Sequence, residues 1–502
     1  MKKVLYFAFA LALFSCGETN PVLTIEGGQV QGVKTDIKGV YVYRGIPYAA
    51  PPIKELRWRE PQAVIPWSGV MVADRFGHPG YQAVHYPGGY ATEWGYGDES
   101  PYSEDCLYLN VWTKAPGQTD KKLPVALWIH GGGYREGWGS EPEFDAQEWG
   151  NKDVVLVSIN YRLGVFGFLT HPELVAESPN NVSGNYGILD QIESLKWIQK
   201  NIEQFGGDPE NVMIFGQSAG AGSVKTLCES PLARGLFNKA IIMSGGGITV
   251  PQEAPATPAA IPPPPPARAG AAADPGTGAR SSMMMRGFAP VTPEQAALQT
   301  KEIMDWAGLT SLQRMRSAST EILYTVGTLY NSVTGNYARI TGSPVIDGYV
   351  SLKSFDAAAL DNTLADVPYM IGFTMNDMGN MSSGIAEFCL NRENAGSKAY
   401  AYEFARPLPT DGSADAMQGA FHSSDLWFVF KSLKHCWRPW TDGDWNLSEK
   451  MLTAWTNFAK YGNPNGLNGG EWAPYTKESP KFMVFKLNEN EQESSELGDP
   501  VR

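Results

Sequence analysis

Ser218 is the centre of Gly216-Gln217-Ser218-Ala219-Gly220, a G-x-S-x-G pentapeptide between the apolar run 212–215 and a helix-compatible stretch that begins at Ala219. A serine on such a sharp strand-to-helix turn stands exposed above a sheet, where its hydroxyl can attack a carbonyl carbon. The flanking glycines have a steric reason, because a strained turn brings backbone segments together where a Cβ would clash. In a chain with 54 glycines the pentapeptide alone also fits a plain turn. A second motif argues for chemistry: His130-Gly131-Gly132-Gly133 follows the apolar run 125–129. Backbone N–H groups of a glycine-rich loop are what the oxyanion of a tetrahedral intermediate needs. Nucleophile and oxyanion loop together spell acyl transfer.

The rest of a triad follows by elimination. On this type of turn the chain order is serine, acid, histidine. The chain has six histidines, and His78, His85, His130 and His171 all precede Ser218. His422 and His435 remain. His422 lies in the small, polar stretch Gly419-Ala420-Phe421-His422-Ser423-Ser424-Asp425 ahead of the aromatic run 426–430, whereas His435 stands among bulky neighbours in Lys434-His435-Cys436-Trp437. Loops at element ends present catalytic bases, which favours His422. The acid should follow a buried strand. The run 367–373 leads into Thr374-Met375-Asn376-Asp377, making Asp377 the first candidate, with Asp347 in Pro344-Val345-Ile346-Asp347-Gly348 as an alternative that suits a turn cap.

The elements that must hold these residues alternate along the chain. The run 154–159 reads as a buried strand, and Ile188, Ile192, Leu195, Ile198, Ile202 and Phe205 recur at helical spacing until Gly206-Gly207-Asp208-Pro209 stops the helix. The run 240–243 is the next strand. Such alternation fits one large α/β domain over 22–502. The segment 251–290, with Pro262 to Pro266 in succession, has too few large apolar residues to pack and is expected to be a surface insertion. A net charge of -13 and a pI near 5.1 leave no basic footprint for nucleic acid. The absence of C-x-x-C, H-E-x-x-H and a helix-opening G-x-G-x-x-G predicts no metal and no cofactor.

At the N-terminus, Lys2 and Lys3 precede the apolar run 4–14, too short to span a bilayer but suited to a signal-peptide core. Leu13-Phe14-Ser15-Cys16 resembles a bacterial lipoprotein box. Residues 1–15 are then the signal peptide, Cys16 the lipid attachment point and 16–21 a tether. The expected location is the cell envelope, with the membrane touched only through the N-terminal lipid; without acylation of Cys16 the protein is secreted.

Several further motifs resemble the type-B carboxylesterases, the α/β-hydrolase family of cholinesterases, bile-salt lipase and bacterial para-nitrobenzyl esterases. They are Tyr43-Arg44-Gly45-Ile46-Pro47-Tyr48-Ala49, Ser103-Glu104-Asp105-Cys106-Leu107-Tyr108-Leu109-Asn110-Val111, the stretch from Gly184-Asn185-Tyr186-Gly187 through Phe205-Gly206-Gly207-Asp208-Pro209, and Ala454-Trp455-Thr456-Asn457-Phe458-Ala459 with Gly462-Asn463-Pro464. The resemblance implies a large central, mostly parallel sheet with helices on both faces. It makes Ser218 the nucleophile, His422 the base and Asp377 the acid where most members carry glutamate. Gly132, Gly133 and Ala219 become the oxyanion donors. It also implies buried ion pairs joining Arg44 with Glu104 and Arg162 with Asp190. Gln217 replaces a common glutamate, which disfavours cationic esters. Both family disulfides are missing, and whether Cys389 and Cys436 pair stays open. Trp94, Tyr96 and Tyr134 suggest an aromatic pocket. The implied activity is hydrolysis of small to medium apolar or aryl esters, the alternatives being a long-chain lipase and a non-catalytic binding protein.

Overall fold

A computed structural model describes residues 20–86, 88–96, 101–249, 292–336, 340, 342–413, 416–467 and 469–501. Cys16 and the segment 251–290 lie outside the described residues. In chain order the strands are β1 (Val22–Ile25), β2 (Gly28–Gln31), β3 (Val33–Lys34), β4 (Tyr41–Pro47), β5 (Val70–Val72), β6 (Tyr108–Thr113), β7 (Leu123–Ile129), β8 (Val155–Ile159), β9 (Gly207–Gln217), β10 (Lys239–Met243), β11 (Tyr369–Thr374), β12 (Ala399–Phe404), β13 (Phe482–Phe485) and β14 (Glu496–Gly498). Eleven form one sheet in the order β14-β13-β12-β11-β10-β9-β7-β8-β6-β4-β3, while β1, β2 and β5 form a small second sheet. From β8 through β7, β9, β10, β11 and β12 to β13 every pairing is parallel. The pairings beyond these at both ends are antiparallel.

Parallel strands covered on both faces need apolar side chains on both faces, which is why their sequences read as continuous apolar runs. Along β7, Val125, Leu127 and Ile129 enter one core while Ala126 and Trp128 enter the other. β9 divides the same way, Val212 and Ile214 against Met213 and Phe215. The helix Tyr186–Asn201 covers the first core through Ile188, Ile192, Leu195 and Ile198. The helix Asp442–Tyr461 covers the second through Leu447, Met451, Trp455 and Phe458. Each such buried side chain stabilises the fold by about 1.5–3 kcal/mol. The first helix runs on as one short 3-10 turn, Ile202–Phe205, and stops at Gly206 with φ 77°. A Cβ at Gly206 would stand 2.5 Å from the Ala115 carbonyl oxygen, so both its backbone angle and its surroundings require glycine.

The expected ion pairs divide. Arg162 and Asp190 do meet, at 2.7 Å and almost fully buried. Glu104, however, does not pair with Arg44: it takes Arg57, whose Nε and Nη2 each reach a carboxylate oxygen at 2.6 Å. Arg44 lies instead over the Phe76 ring, 4.9 Å from its centre, and donates to the Asp74 carbonyl at 3.3 Å. Arg57 wins because its third nitrogen meets the carbonyls of Met315, Arg316 and Ala318, a satisfied burial that Arg44 does not have. Cys106, Cys228, Cys389 and Cys436 are all free, so Cys389 and Cys436 form no bridge.

Candidate active site

β9 delivers Ser218 and the helix Ala219–Glu229 leads away from it. At φ 56° and ψ −119° Ser218 occupies backbone space that side-chain-bearing residues avoid, a strain of about 1–3 kcal/mol. The turn is held by the Ser218 N–H donating to the Met243 carbonyl at 2.9 Å and the Gly222 N–H donating to the Ser218 carbonyl at 3.0 Å. A Cβ at Gly216 would come 2.6 Å from the Gly220 carbonyl carbon, and one at Gly220 would collide with the Ile129 carbonyl at the end of β7. The elbow therefore packs on the point where His130-Gly131-Gly132-Gly133 leaves the sheet.

That loop lies against the serine: a Cβ at Gly131 would stand 3.2 Å from Ser218 Cβ. Gly132 and Gly133 follow with φ 94° and 61°. Ala219 opens its helix, where an N–H has no acceptor within the helix. His130 is buried, its ring stacked 4.4 Å from Tyr161, and burial pushes it down to about 4. It is thus neutral at ordinary pH, and its Nδ1–H donates to the Gly131 carbonyl at 2.9 Å. Its part is to shape the loop.

His422 Nδ1 lies 2.6 Å from Asp377 Oδ1. A carboxylate only accepts, so Nδ1 carries the proton and Nε2 offers its lone pair, to which the Gln217 amide donates at 3.1 Å. Asp377 also accepts from the backbone N–H and hydroxyl of Thr374 and from the N–H of Met378. Burial pushes its carboxyl up, but the bond to His422, the charge of that ring and the Met378 N–H outweigh that and hold it below the usual range. Asn376 joins the two loops: its N–H donates to the Ala420 carbonyl and its Oδ1 accepts the Ala420 N–H, both at 2.9 Å. The other candidates go elsewhere. His435 faces Asp145 at 2.9 Å, and Asp347 caps a turn by accepting the N–H groups of Tyr349, Val350 and Ser351.

Three nearby residues were not visible as site residues in the sequence. Tyr90, from the short helix Gly89–Glu93, donates its hydroxyl to the His422 carbonyl at 2.8 Å. Asn376 carried no motif of its own. Asp425 is fully buried with one oxygen on the Tyr402 hydroxyl; burial, with the charge of Asp377 adding, raises its carboxyl to about 7. Of the aromatics expected to line a pocket, Trp94 is buried against Trp427, Tyr96 donates to Glu141, and Tyr134 packs on Phe168. Cavities of about 230 and 440 Å³ lie beside Trp58 and Lys450, but neither is lined by Ser218, Asp377 or His422. Chemistry, not size, locates this site.

The model of the carboxylesterase family matches residues 19–389 and 379–498. The para-nitrobenzyl esterase of Bacillus subtilis (strain 168) is 29% identical over 95% of this chain and 97% of that protein. Carboxylesterase 5A of Homo sapiens is 30% identical over 92% and 85%. The fumonisin B1 esterase of Sphingopyxis macrogoltabida is 45% identical, but over 44% of this chain and 39% of that protein. Among solved structures, a thermophilic para-nitrobenzyl esterase superposes with a TM-score of 0.71 over 95% of this chain and 98% of that one, at 26% identity. A family model covering nearly the whole chain, and relatives aligned almost end to end on the same sheet, leave one conclusion: the chain belongs to the carboxylesterase family and hydrolyses carboxylic esters.

Proposed function

We propose that Ser218 is the nucleophile, His422 the general base, Asp377 its orienting acid, and the N–H groups of Gly132, Gly133 and Ala219 the oxyanion donors. The observation that carries this reading is His422 held between Asp377 on one nitrogen and, on the other, Gln217, the residue preceding Ser218. Ser218 Oγ attacks the ester carbonyl as His422 Nε2 takes its proton. The tetrahedral oxyanion collapses, the alcohol leaves with the proton from His422, and an acyl-enzyme remains. Water, activated by the same base, then releases the acid. Gln217 donates to the lone pair that must receive the serine proton, so its amide turns aside when substrate enters.

The substrate class is a small to medium apolar or aryl ester. Gln217 puts no charge beside the nucleophile, and the exposed Tyr90 ring stands beside the base, its hydroxyl on the His422 carbonyl. Labelling with a fluorophosphonate, together with nitrophenyl esters of increasing acyl length, tests this. Prompt labelling and highest kcat/KM on the short acyl chains are expected. Rates that climb to the longest chains would mark a lipase, and no labelling would leave a binding protein.

The protein works as a lipoprotein of the cell envelope, tethered through Cys16 after removal of residues 1–15. Cys16→Ser should release the enzyme from membranes with its turnover per folded molecule preserved, whereas a high-salt wash should not release the unaltered protein, because salt screens charges but not buried acyl chains. Mass spectrometry of the mature N-terminus decides: an unmodified N-terminus at another residue means simple secretion.

A further inference from the structure

Behind the glycine loop the chain continues as Glu136-Gly137-Trp138-Gly139-Ser140-Glu141-Pro142-Glu143. Glu141 and Glu143 are 6% and 1% exposed, and their carboxyl groups are in hydrogen-bond contact with each other. Glu141 is rich in donors: it accepts the Trp138 N–H at 2.8 Å and the Tyr96 hydroxyl at 2.5 Å. Glu143 Oε2 has no hydrogen-bond partner. The buried guanidinium of Arg438 is committed to Glu93 at 2.6 Å. Glu141 reaches the oxyanion loop through its neighbours: it holds the Trp138 N–H, and the adjoining Gly137 is packed between Glu141 and the loop. A Cβ at Gly137 would stand 3.1 Å from Glu141 Oε1, 3.0 Å from the Gly131 carbonyl oxygen and 2.6 Å from His130 Nδ1.

Two carboxylates in contact and sealed from water cannot both stay ionised, because repulsion adds to the loss of hydration. A proton on Glu141 would sit on one of two oxygens that already accept, Oε1 from the Trp138 N–H and Oε2 from the Tyr96 hydroxyl. One proton between them satisfies every group: Glu143 donates it and Glu141 remains the carboxylate. Burial raises both groups, with the charge of Glu141 raising Glu143 further. We propose that Glu141 and Glu143 share a single proton and that this proton holds the oxyanion loop in place, making the pair positioning residues for ester hydrolysis. The proposal rests on Gly132 and Gly133 being the oxyanion donors. When hydroxide removes the proton, two negative charges face each other, and Glu141 moves with the Trp138 backbone it grips. Glu93 and Glu136 add negative charge to the surroundings, Arg438 positive, and His85 positive when it is protonated; the Cys436 thiol lies within the same field.

The test is kcat/KM for a short nitrophenyl ester from about pH 6 to about pH 10. The unaltered enzyme should lose activity reversibly on the alkaline side. Glu143→Gln keeps a donor to Glu141 at every pH, so kcat/KM at neutral pH should stay within about threefold and the alkaline loss should vanish. Glu141→Gln leaves a single carboxyl and should abolish the alkaline loss too. Glu143→Leu removes the donor, and should lower kcat/KM at every pH by about 10-fold or more, part of the 10²–10³ that an oxyanion donor is worth. Melting temperature adds a second reading. A carboxyl raised in the folded state loses stability as pH climbs from its unfolded value, about 4.3, to its folded one. The deficit of the unaltered protein against Glu143→Gln should therefore grow with pH over that window. An alkaline loss that persists in whichever glutamine variant folds, or no alkaline loss in the unaltered enzyme, overturns the proposal. In the unaltered protein an infrared carboxylic-acid band must also disappear in step with activity, and its absence overturns it as well. Failure of fluorophosphonate labelling at neutral pH would instead count against Ser218.

Discussion

Ser218→Ala should lower ester turnover by roughly 10⁴- to 10⁶-fold and abolish fluorophosphonate labelling, with the melting curve nearly unchanged. The variant loses one hydroxyl and keeps the strained turn, because the bonds at Met243 and Gly222 are made by the backbone. His422→Ala should fall about as far, since nucleophile and base act as a unit. Asp377→Asn tests the tautomer. Asp377 accepts from Thr374 and Met378 as well as from His422. An amide there must turn its NH₂ toward a donor or toward Nδ1, and the latter puts the imidazole proton on Nε2; a loss of about 10⁴ is expected. His435→Ala should be silent. A serine-dependent acyl-enzyme in Ser218→Ala, or activity lost in His435→Ala and kept in His422→Ala, would reverse the assignment.

How far the sequence reached can be judged from these same residues. The strand-to-helix turn at Ser218 and the pairing of Asp377 with His422 rather than His435 were legible because their constraints are one-dimensional: an apolar run must precede the elbow, and only two histidines follow it. The strands were legible because a sheet covered on both faces writes itself as unbroken apolar runs, and the helix Tyr186–Asn201 because its stripe repeats at helical spacing. Partner choice was not legible. Arg44 and Arg57 are both arginines upstream of Glu104, and Arg57 takes it because of three carbonyls from residues 315, 316 and 318, more than 250 positions away. Asn376, Tyr90 and the Glu141–Glu143 contact share that limit. Each is defined by what the fold brings near it, and none has a spacing that announces it.

Large losses of stability should come from cutting the buried ion pairs Arg162–Asp190 and Arg57–Glu104. Asp190→Ala leaves the Arg162 guanidinium, 2% exposed, without the carboxylate that meets its Nε at 2.8 Å and its Nη2 at 2.7 Å. Burial alone would lower the affinity of Arg162 for its proton, yet Asp190 raises it above the usual value, so the pair is electrostatically bound and one partner cannot be removed cheaply. A loss of about 3–5 kcal/mol is expected. Glu104→Ala should cost about the same, since it strands Arg57 and also deprives the Thr320 hydroxyl of its acceptor. Arg44→Ala, which gives up a cation–π contact and one bond to a carbonyl, should cost no more than about 1–2 kcal/mol. The two pairs should also be coupled. Arg162 Nη1 donates to the Arg59 carbonyl at 2.8 Å, two residues from Arg57, so both pairs fasten the same segment. Once one is cut, that segment can relax and the second cut removes less; the double variant should fall short of the sum by about 0.5–3 kcal/mol. Denaturant melts of the two single variants and the double variant measure this. Strict additivity would mean the segment stays rigid without either pair, and a cost for Arg44→Ala as large as that for Glu104→Ala would return the pairing to Arg44.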